Sequence, residues 1–328
     1  MYNIFLFFFL KNYFFLFYVN SLQNKNFSFY KYFSNLSKDD YAKGLKLWYS
    51  KKTNKSLNLD NPKTYTEKIQ WIKLYDIDYL KAYLTDKYLV REWIKKKIGE
   101  KYLIPLLGFW DQFKDIDFNN LPNKFVLKCN HGSNMNIIVL DKNKFNISEA
   151  KKKMDYWMKI NYAFFYGLEL QYKNIKKKII AEEYIENNNN NINDYKIWCF
   201  DGKIEVIMVI TERNKIKKYA FYDKNWNLLP FYYSNFQEKK IDRPKNLNEL
   251  IKISEILSKG FRHVRTDFYI LNNGTIKFGE MTFTPNSGIV NFSKEEYNEY
   301  FGNKIHIPNK KNNSNNINII KNKENNDL

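Results

Sequence analysis

The stretch VRTDFYILNNGTIKFGEMTF (residues 264–283) decides the fold, because it predicts a β-hairpin whose turn is Asn273-Gly274. With a two-residue turn, Asn272 faces Thr275, and every other opposed pair follows from that register. Side chains alternate between the two faces of a strand, so each face carries every second residue. One face therefore carries two opposed polar pairs: Arg265 with Thr282, and Asp267 with Glu280.

The opposed carboxylates of Asp267 and Glu280 indicate a cation site. Like charges placed directly opposite on a sheet destabilise it, and a bound cation removes that penalty. Opposed Cβ atoms lie roughly 5 Å apart, which lets two carboxylates share a hard ion such as Mg²⁺. Two alternatives stay open. The hairpin can be half-exposed with Arg265 neutralising both acids, or a three-residue turn through Asn272 can shift the register.

A second candidate element is Lys128, near the end of an apolar strand predicted at residues 125–129. A small-residue loop that contains Gly132 and Ser133 follows it. A lysine beside backbone amides can clamp a phosphate group, although a lysine at a strand end is more often simply solvated. The sequence contains no GxxxxGK[ST] motif, which excludes a P-loop, and no GxGxxG motif of a dinucleotide-binding fold.

A third candidate element ends the strand predicted at residues 179–185, where Glu182, Glu183 and Tyr184 follow an apolar pair. Such a segment between a strand and a linker can hold an adenine edge and ribose hydroxyls. An edge strand with solvated acids is the alternative interpretation.

The remaining segments predict helices and a second hairpin, so the predicted fold class is α+β. One helix follows a capping box, Thr64-x-x-Glu67. Further helices are predicted at about residues 86–98, 147–160 and 247–259. Asp201-Gly202 is predicted to join strands at residues 197–200 and 204–210.

Together these motifs resemble the ATP-grasp superfamily. The run Arg265-Thr266-Asp267, followed by residues 280–288 (EMTFTPNSG), is similar to the metal-binding half of D-alanine–D-alanine ligases. The sequence resembles the TupA-like branch more closely still, and that branch is linked to teichuronopeptide and other surface-polysaccharide synthesis. This closer resemblance rests on residues 66–71 (TEKIQW), 128–133 (KCNHGS) and 278–283 (FGEMTF), and it extends over about residues 40–305.

The resemblance implies an ATP-grasp fold, in which two α+β subdomains grip ATP. It also implies a Mg²⁺–ATP-dependent ligase that joins a carboxylate to an amine through an acyl phosphate. Metal binding is implied for Asp267, Glu280 and Thr282, and stabilisation of an oxyanion for Arg265. Contacts to ATP are implied for nine residues: Lys87, Lys128, His131, Gly132, Ser133, Glu182, Glu183, Tyr184 and Lys196.

The surface-polysaccharide link implies a saccharide as one acceptor candidate. Three positions depart from the pattern of the superfamily. Thr282 stands where a metal-ligating Asn is usual, and Asn134 and Asn286 stand where small glycines are expected. Bulkier residues there are expected to stiffen the phosphate loop or narrow the acceptor site.

The predicted organisation has four parts. They are an apolar segment at residues 1–20, a helical region at 21–79, an ATP-grasp domain at 80–305 and a disordered tail at 306–328. Within the ATP-grasp domain, a phosphate-loop subdomain is predicted at about 120–185 and a metal-binding subdomain at about 186–305. The apolar segment is interrupted by Lys11, so it either associates with a membrane or forms a packed or frayed helix.

The composition favours a folded cytoplasmic protein, with association at the inner face of the membrane left open. The chain of 328 residues carries a net charge of +19. Lys, Asn, Ile, Phe and Tyr are all in excess, so a genome rich in A and T explains the charge without a nucleic-acid partner. Cys129 and Cys199 lie in apolar runs, which favours buried, reduced thiols and a reducing compartment.

Two rival functions remain at this stage. The triplets Asp76-Ile77-Asp78 and Asp115-Ile116-Asp117 can each hold a divalent ion against a nucleotide sugar, which is the chemistry of a glycosyltransferase. Net charge alone also fits a basic protein without catalytic activity that binds anionic polymers.

Overall fold

The computed structural model describes residues 28–186, 192–211, 218–233, 237–238 and 240–308 of the chain. The apolar segment predicted at residues 1–20, the asparagine run 187–191 and residues 309–328 of the predicted tail lie outside these ranges. Within the described ranges, no helix is both long enough and apolar enough to cross a membrane.

The first sheet has four antiparallel strands in the order β1-β4-β2-β3. The strands are β1 (Leu106–Trp110), β2 (Phe125–Cys129), β3 (Asn136–Val139) and β4 (Ile179–Glu183). Helix α6 (Ile147–Lys159) packs on this sheet through Ala150 and Met154. The strands and the helix predicted in this part of the chain are confirmed, with bounds that differ by one or two residues at several ends.

The second sheet has six strands in the order β10-β9-β5-β6-β7-β8. The strands are β5 (Asn193–Phe200), β6 (Lys203–Thr211), β7 (Lys218–Tyr222), β8 (Gln237–Glu238), β9 (His263–Ile270) and β10 (Ile276–Thr282). Neighbouring strands are antiparallel except β7 and β8, which are parallel. The two predicted hairpins are β5–β6 and β9–β10. Two largely antiparallel sheets with helices confirm the α+β prediction.

Seven further helices lie around the sheets in the described residues. They are α1 (28–34), α2 (Tyr41–Thr53), α3 (Tyr65–Tyr75), α4 (Tyr79–Thr85), α5 (Val90–Lys97), α7 (Leu247–Ser258) and α8 (Glu295–Asn303). The capping box of α3 is confirmed: the Thr64 hydroxyl accepts from the Glu67 amide at 3.3 Å, and the Glu67 carboxylate accepts from the Thr64 amide at 3.1 Å.

Helix α5 begins at Val90, four residues after the predicted start. The carboxylate of Asp86 accepts hydrogen bonds from the amides of Tyr88 at 2.8 Å and Leu89 at 3.2 Å. These bonds fix a turn in front of the helix, because an Asp side chain competes with the backbone for amide protons. Lys87 therefore lies on this turn and not on the helix.

Both faces of the second sheet are covered, but one of them only in part. On one face, Ile197 and Cys199 of β5 pack in one cluster with α7. On the other, Trp198 and Phe200 pack in an aromatic cluster with α3 and α8. Lys196 is on the same face as Trp198, since side chains alternate. On this face of β5, the aromatic core therefore extends to Trp198, and the charged part of the face begins at Lys196.

Helix α3 ties the N-terminal region to the second sheet. The ring of Tyr65 stacks on Trp198 with centroids 5.5 Å apart, and its hydroxyl lies 3.0 Å from Nε2 of His263. Further along the helix, the Gln70 amide donates to the carbonyl oxygens of Ser287 at 3.1 Å and Gly288 at 3.0 Å. The helix therefore holds the loop that follows β10.

Candidate active site

The predicted acid pair exists: Asp267 of β9 lies opposite Glu280 of β10. The turn is nevertheless one residue longer than predicted, because the amide of Leu271 donates to the carbonyl of Thr275 at 2.9 Å. The register changes between Phe278 and Glu280, and this irregularity restores the predicted pairing beyond it.

Gly279 lies at this irregularity and allows the two strands to approach closely. A Cβ atom at this position would lie 3.1 Å from the carbonyl oxygen of Asp267 and 3.3 Å from the ring of Tyr269. Such contacts are tighter than ordinary packing. The absence of a side chain at Gly279 therefore helps to set the acid pair.

Arg265 lies between the acids. Its Nε and one terminal nitrogen donate to the two carboxylate oxygens of Asp267, both at 2.7 Å. The same terminal nitrogen reaches Glu280 at 3.3 Å and the hydroxyl of Thr282 at 3.2 Å. Arg265 does pair with both acids, as one alternative proposed, but Asp267 is buried and not half-exposed.

Two lysines complete the charged cluster. Lys196 of β5 lies opposite Asp267 and contacts its carboxylate, and it also lies 3.1 Å from Asp194. Lys87 lies 3.1 Å from Glu280 and donates to the carbonyl of Gly132 at 2.9 Å. The cluster thus joins residues from the turn before α5, from the loop after β2 and from three strands of the second sheet.

The pKa values of the two acids differ in direction. Burial acts to raise the pKa of Glu280, but the charges of Lys87, Arg265 and Lys196 outweigh it and hold that pKa well below its ordinary value. For Asp267, burial exceeds the opposing effect of Arg265 and Lys196, so its pKa is raised. The difference in direction fits the deeper burial of Asp267.

The loop after β2 is held by Asn130, which is fully buried. Its side chain donates to the carboxylate of Asp86 at 2.9 Å, and its carbonyl accepts from the amide of Lys87 at 3.1 Å. Gly132 and Ser133 of this loop line a cleft. Asn130 therefore fixes Lys87 and the loop as one unit.

His131 points away from the cleft. Its side chain is buried, and Nε2 lies 3.2 Å from the carbonyl of Trp157 in α6. Burial lowers the pKa of His131 to about 4, so the ring is neutral at physiological pH. This geometry does not favour the predicted contact of His131 with ATP. It favours a structural role, in which His131 links the loop after β2 to α6.

Glu182 and Lys128 form a buried ion-pair group with Arg91. The Glu182 carboxylate lies 2.5 Å from the Lys128 ammonium and 2.9 Å from the Arg91 guanidinium. Glu183 is exposed and Tyr184 is half-buried, and neither lines the cleft. Glu182 thus orients Lys128 toward the space between the sheets.

The cleft has a volume of about 490 Å³ and lies between the two sheets. Its charged lining consists of four cations and four acids: Lys87, Lys128, Lys196, Arg265, Glu169, Asp194, Asp267 and Glu280. In the described part of the chain, no group of three or more His, Cys, Asp or Glu residues is placed to hold a metal. The pair Asp267 and Glu280 provides two opposed carboxylates in this cleft.

Asn134 and Asn286, which stand where glycines were expected, both have left-handed backbone conformations. Their φ angles are 59° and 50°, and Ser287 beside the second has a φ of 56°. Asn adopts this region more readily than most residues with a side chain. The departure from glycine therefore preserves the backbone geometry of both loops.

Sequence reasoning missed one end of the cleft. Tyr162, Tyr166, Glu169 and Tyr172 line it, and they come from a segment for which no element was predicted. This segment folds into short 3₁₀ turns at Tyr162–Phe164 and Leu170–Tyr172, which carry no long periodic pattern. The one sequence signal in this segment was the presence of three tyrosines close to a single acid, Glu169.

Three of the four acids in the two Asp-Ile-Asp triplets make local structural contacts. The side chains of Asp78 and Asp117 accept hydrogen bonds from the amides of Lys81 at 2.7 Å and Asn119 at 3.0 Å, where a helix and a 3₁₀ turn begin. Asp76 contacts the ammonium of Lys81 at 2.6 Å. These contacts favour a capping role over ion binding.

Comparison with known proteins gives one family and several distant structures. A family model described as TupA-like ATPgrasp matches residues 67–306. A D-alanine–D-alanine ligase from Bacillus anthracis complexed with ATP is 17% identical, with a TM-score of 0.40 over 61% of this chain and 55% of that chain. An N5-carboxyaminoimidazole synthetase from Staphylococcus aureus complexed with ADP is 15% identical, with a TM-score of 0.40 over 69% and 53%.

The ADP complex of an N5-carboxyaminoimidazole ribonucleotide synthetase is 12% identical, with a TM-score of 0.42 over 75% of this chain and 57% of that chain. The chain spans about half the length of these solved structures. No curated protein shows significant sequence similarity to it.

Proposed function

This chain belongs to the TupA-like ATP-grasp family, and from that premise we propose that it is a ligase that uses Mg²⁺–ATP to join a carboxylate to an amine. The membership confirms the family predicted from the motifs. The activity is supported above all by one observation: an opposed carboxylate pair, Asp267 and Glu280, faces a cleft into which four cationic side chains converge.

The donor set of the acid pair fits Mg²⁺. This ion takes hard oxygen ligands and is usually held by one or two carboxylates together with substrate phosphates. Asp267 and Glu280 would supply the carboxylates, and the hydroxyl of Thr282, 3.3 Å from Glu280, a further oxygen. The bound ion would neutralise charge that develops on the phosphates.

Three lysines that line the cleft would bind the triphosphate. Lys87 and Lys196 now compensate Glu280 and Asp267, and both can exchange these partners for phosphate oxygens. Such an exchange removes the lysine contacts of both carboxylates while Arg265 stays paired with Asp267, so Glu280 and the remaining lone pairs of Asp267 would ligate the metal. Lys128 would contribute a third charge, and the amides of Gly132 and Ser133 directional donors.

Arg265 would stabilise the oxyanion that forms when an amine attacks the acyl phosphate. Its guanidinium is already oriented by the two bonds to Asp267, so little reorganisation is needed. Adenine contacts by Glu182, Glu183 and Tyr184, a saccharide acceptor, a role in surface-polysaccharide modification and a cytoplasmic location remain finer parts of the proposal. The location rests on composition and the other parts on the family resemblance.

The test compares ligand-induced thermal shifts with and without Mg²⁺, for ATP and for UDP-sugars. Ligands that bind only the native state raise the melting temperature. We expect a Mg²⁺-dependent shift with ATP that Asp267→Asn removes and that Asp117→Asn, an exposed capping residue, retains. A shift with a UDP-sugar and none with ATP would overturn the ligase proposal, and sensitivity to Asp117→Asn would support the glycosyltransferase alternative.

A further inference from the structure

Glu169 differs from the other acids of the cleft in its electrostatic contacts. Asp194, Asp267 and Glu280 each lie within ion-pair distance of a lysine or arginine. Within the described residues, no such cation contacts Glu169, although it is buried. Its one recorded side-chain partner there is the hydroxyl of Thr284, at 2.5 Å. A buried carboxylate that lacks a contacting cation is costly, and a cation in the cleft would remove that cost.

Lys73, whose charge acts on Glu169, is engaged elsewhere. Lys73 of α3 is buried, and its ammonium donates to the carbonyl of Ser287 at 2.7 Å, to the hydroxyl of Ser287 at 2.8 Å and to the carbonyl of Tyr166 at 3.2 Å. These three bonds use its three donors. Burial still raises the pKa of Glu169, against the opposing charge of Lys73 and the bond from Thr284.

Three tyrosine rings surround this end of the cleft. The centroid of Tyr162 lies 4.8 Å from that of Tyr172 and 5.8 Å from that of Tyr166, and both pairs are edge to face. Burial and then the charge of Glu169 raise the pKa of all three hydroxyls, which reflects how close the carboxylate is. Aromatic faces attract organic cations, most strongly where water is excluded.

We propose that Glu169, with the rings of Tyr162, Tyr166 and Tyr172, binds the ammonium group of the amine acceptor, an inference that rests on the ligase function proposed above. The carboxylate supplies the countercharge, and the rings supply surfaces that suit a primary ammonium on an alkyl or sugar carbon. The site adds a substrate-binding role to a segment that none of the sequence motifs covers.

The position along the chain agrees with this assignment. Glu280 and Thr282 are alternate residues of β10, and Thr284 follows in the bend after the strand ends at Thr282. Thr284 donates to Glu169, so the proposed ammonium site adjoins the chain just beyond β10, whereas Lys87 contacts Glu280 within that strand. The acceptor and the phosphate groups would therefore contact different parts of this segment.

The probe for this site is n-propylammonium chloride, titrated against the full chain at pH 8 with NaCl adjusted to constant ionic strength. Thermal shifts are recorded with and without Mg²⁺–ATP, and KCl and n-propanol serve as the inorganic-cation and neutral controls. At pH 8 the carboxylate of Glu169 is ionised despite its raised pKa. We expect a saturable shift with the ammonium probe only.

Variants assign the shift to the site. Glu169→Gln keeps the shape and the hydrogen bond to Thr284, and it should weaken probe binding on the order of tenfold or more. Tyr166→Leu removes one half-buried ring and should weaken it about threefold to tenfold. Glu205→Gln is the matched control, because Glu205 pairs with Lys304 at 3.1 Å outside the cleft.

Two results would overturn the inference: no ammonium-specific shift in the wild type, or the same affinity in Glu169→Gln as in Glu205→Gln. Should Glu169→Gln fail to fold, unchanged binding by Tyr166→Leu decides against it in the same way. The Mg²⁺–ATP shift separates the two proposals. If it persists without an ammonium effect, only the acceptor site is wrong, and if the wild type lacks it, the ligase function is wrong.

Discussion

Replacement of Lys73 by methionine should destabilise the fold, because it removes the hydrogen bonds that hold the loop after β10. Methionine keeps most of the length of the side chain and its packing near the Trp48 ring, which the ammonium contacts at 4.5 Å. The change removes the three donors that bind oxygen atoms of Ser287 and Tyr166. It also removes a positive charge that acts on Glu169.

The expected cost follows from these contacts. Each bond from a charged donor contributes roughly 1.5–3 kcal/mol net, but the variant no longer buries an ammonium ion, which costs several kcal/mol. Loss of one partner from a buried charge pair in direct contact typically costs about 3–5 kcal/mol, whereas Lys73 acts on Glu169 through its charge without contacting it. Because the Ser287 hydroxyl still donates to the carbonyl of Tyr166, we expect the low end of this range, about 3 kcal/mol.

Urea unfolding followed by tryptophan fluorescence measures this cost, with Lys151→Met as the control. Lys151 is exposed on α6 and pairs with Asp155, so its replacement should change stability by less than about 0.5 kcal/mol. The double variant Lys73→Met/Glu169→Gln should recover at least about 1 kcal/mol, because it no longer buries an uncompensated carboxylate. The reasoning is refuted if Lys73→Met is as stable as Lys151→Met. It is also refuted if the double variant is less stable than Lys73→Met by the full cost of Glu169→Gln alone.

Three further predictions concern the metal site, acid stability and packing. Glu280→Ala should abolish Mg²⁺-dependent ATP turnover and leave the far-UV circular dichroism spectrum intact, and unchanged turnover would contradict the metal assignment. Burial lowers the pKa of His131 to about 4 and that of His263 to about 3. From pH 6.5 downward the unfolded chain therefore binds protons that the native state does not. Stability should fall toward these values by about 1.4 kcal/mol per pH unit for each histidine, and equal urea midpoints at pH 7 and pH 5 would refute this. Gly302→Ala places a Cβ atom 2.2 Å from the carbonyl oxygen of Lys63 and should cost about 1–3 kcal/mol or more, visible as a lower melting temperature.

Local signals in the sequence predicted the elements that local interactions control. The capping box at Thr64 and Glu67 needs only neighbouring residues, and the helix begins where the box indicates. The hairpin at β5–β6 follows from Asp201-Gly202, since both residues adopt the positive φ angles that such a turn requires. Most strand bounds differ from the predicted ones by one or two residues, but β5 begins at Asn193, four residues before its predicted start, because residues 193–196 pair with β9.

The predicted pairing of Asp267 with Glu280 was correct, but the two-residue turn from which it was derived was not. The expected two-residue turn does not form, since Leu271 pairs with Thr275. The irregularity at Gly279 then returns Glu280 to its place opposite Asp267. A glycine inside a strand is a recognised signal for a bulge, so the sequence carried this information as well.

The end of the cleft around Glu169 could not be predicted from the sequence for a physical reason. The environment of Glu169 is determined by Thr284, 115 residues away along the chain, and by Lys73 on α3. No sequence motif includes this lysine. Its segment consists of 3₁₀ turns, whose short length leaves no periodicity to detect. Contacts of this kind depend on the packing of the whole chain.

The contacts of helix α3 bear on how the protein can be shortened. The family match begins at residue 67, which falls inside the first turn of the helix. A cut there would delete Thr64, which caps the helix, and Tyr65, which fills the space between Trp198 and His263. Gln70 and Lys73 bind the loop at Ser287. In the shortened chain they would lie on a helix that lacks its capping residue Thr64 and the packed ring of Tyr65. A fragment that starts at the family boundary would therefore weaken one wall of the cleft, so a fragment meant to keep the cleft has to include Thr64 and Tyr65.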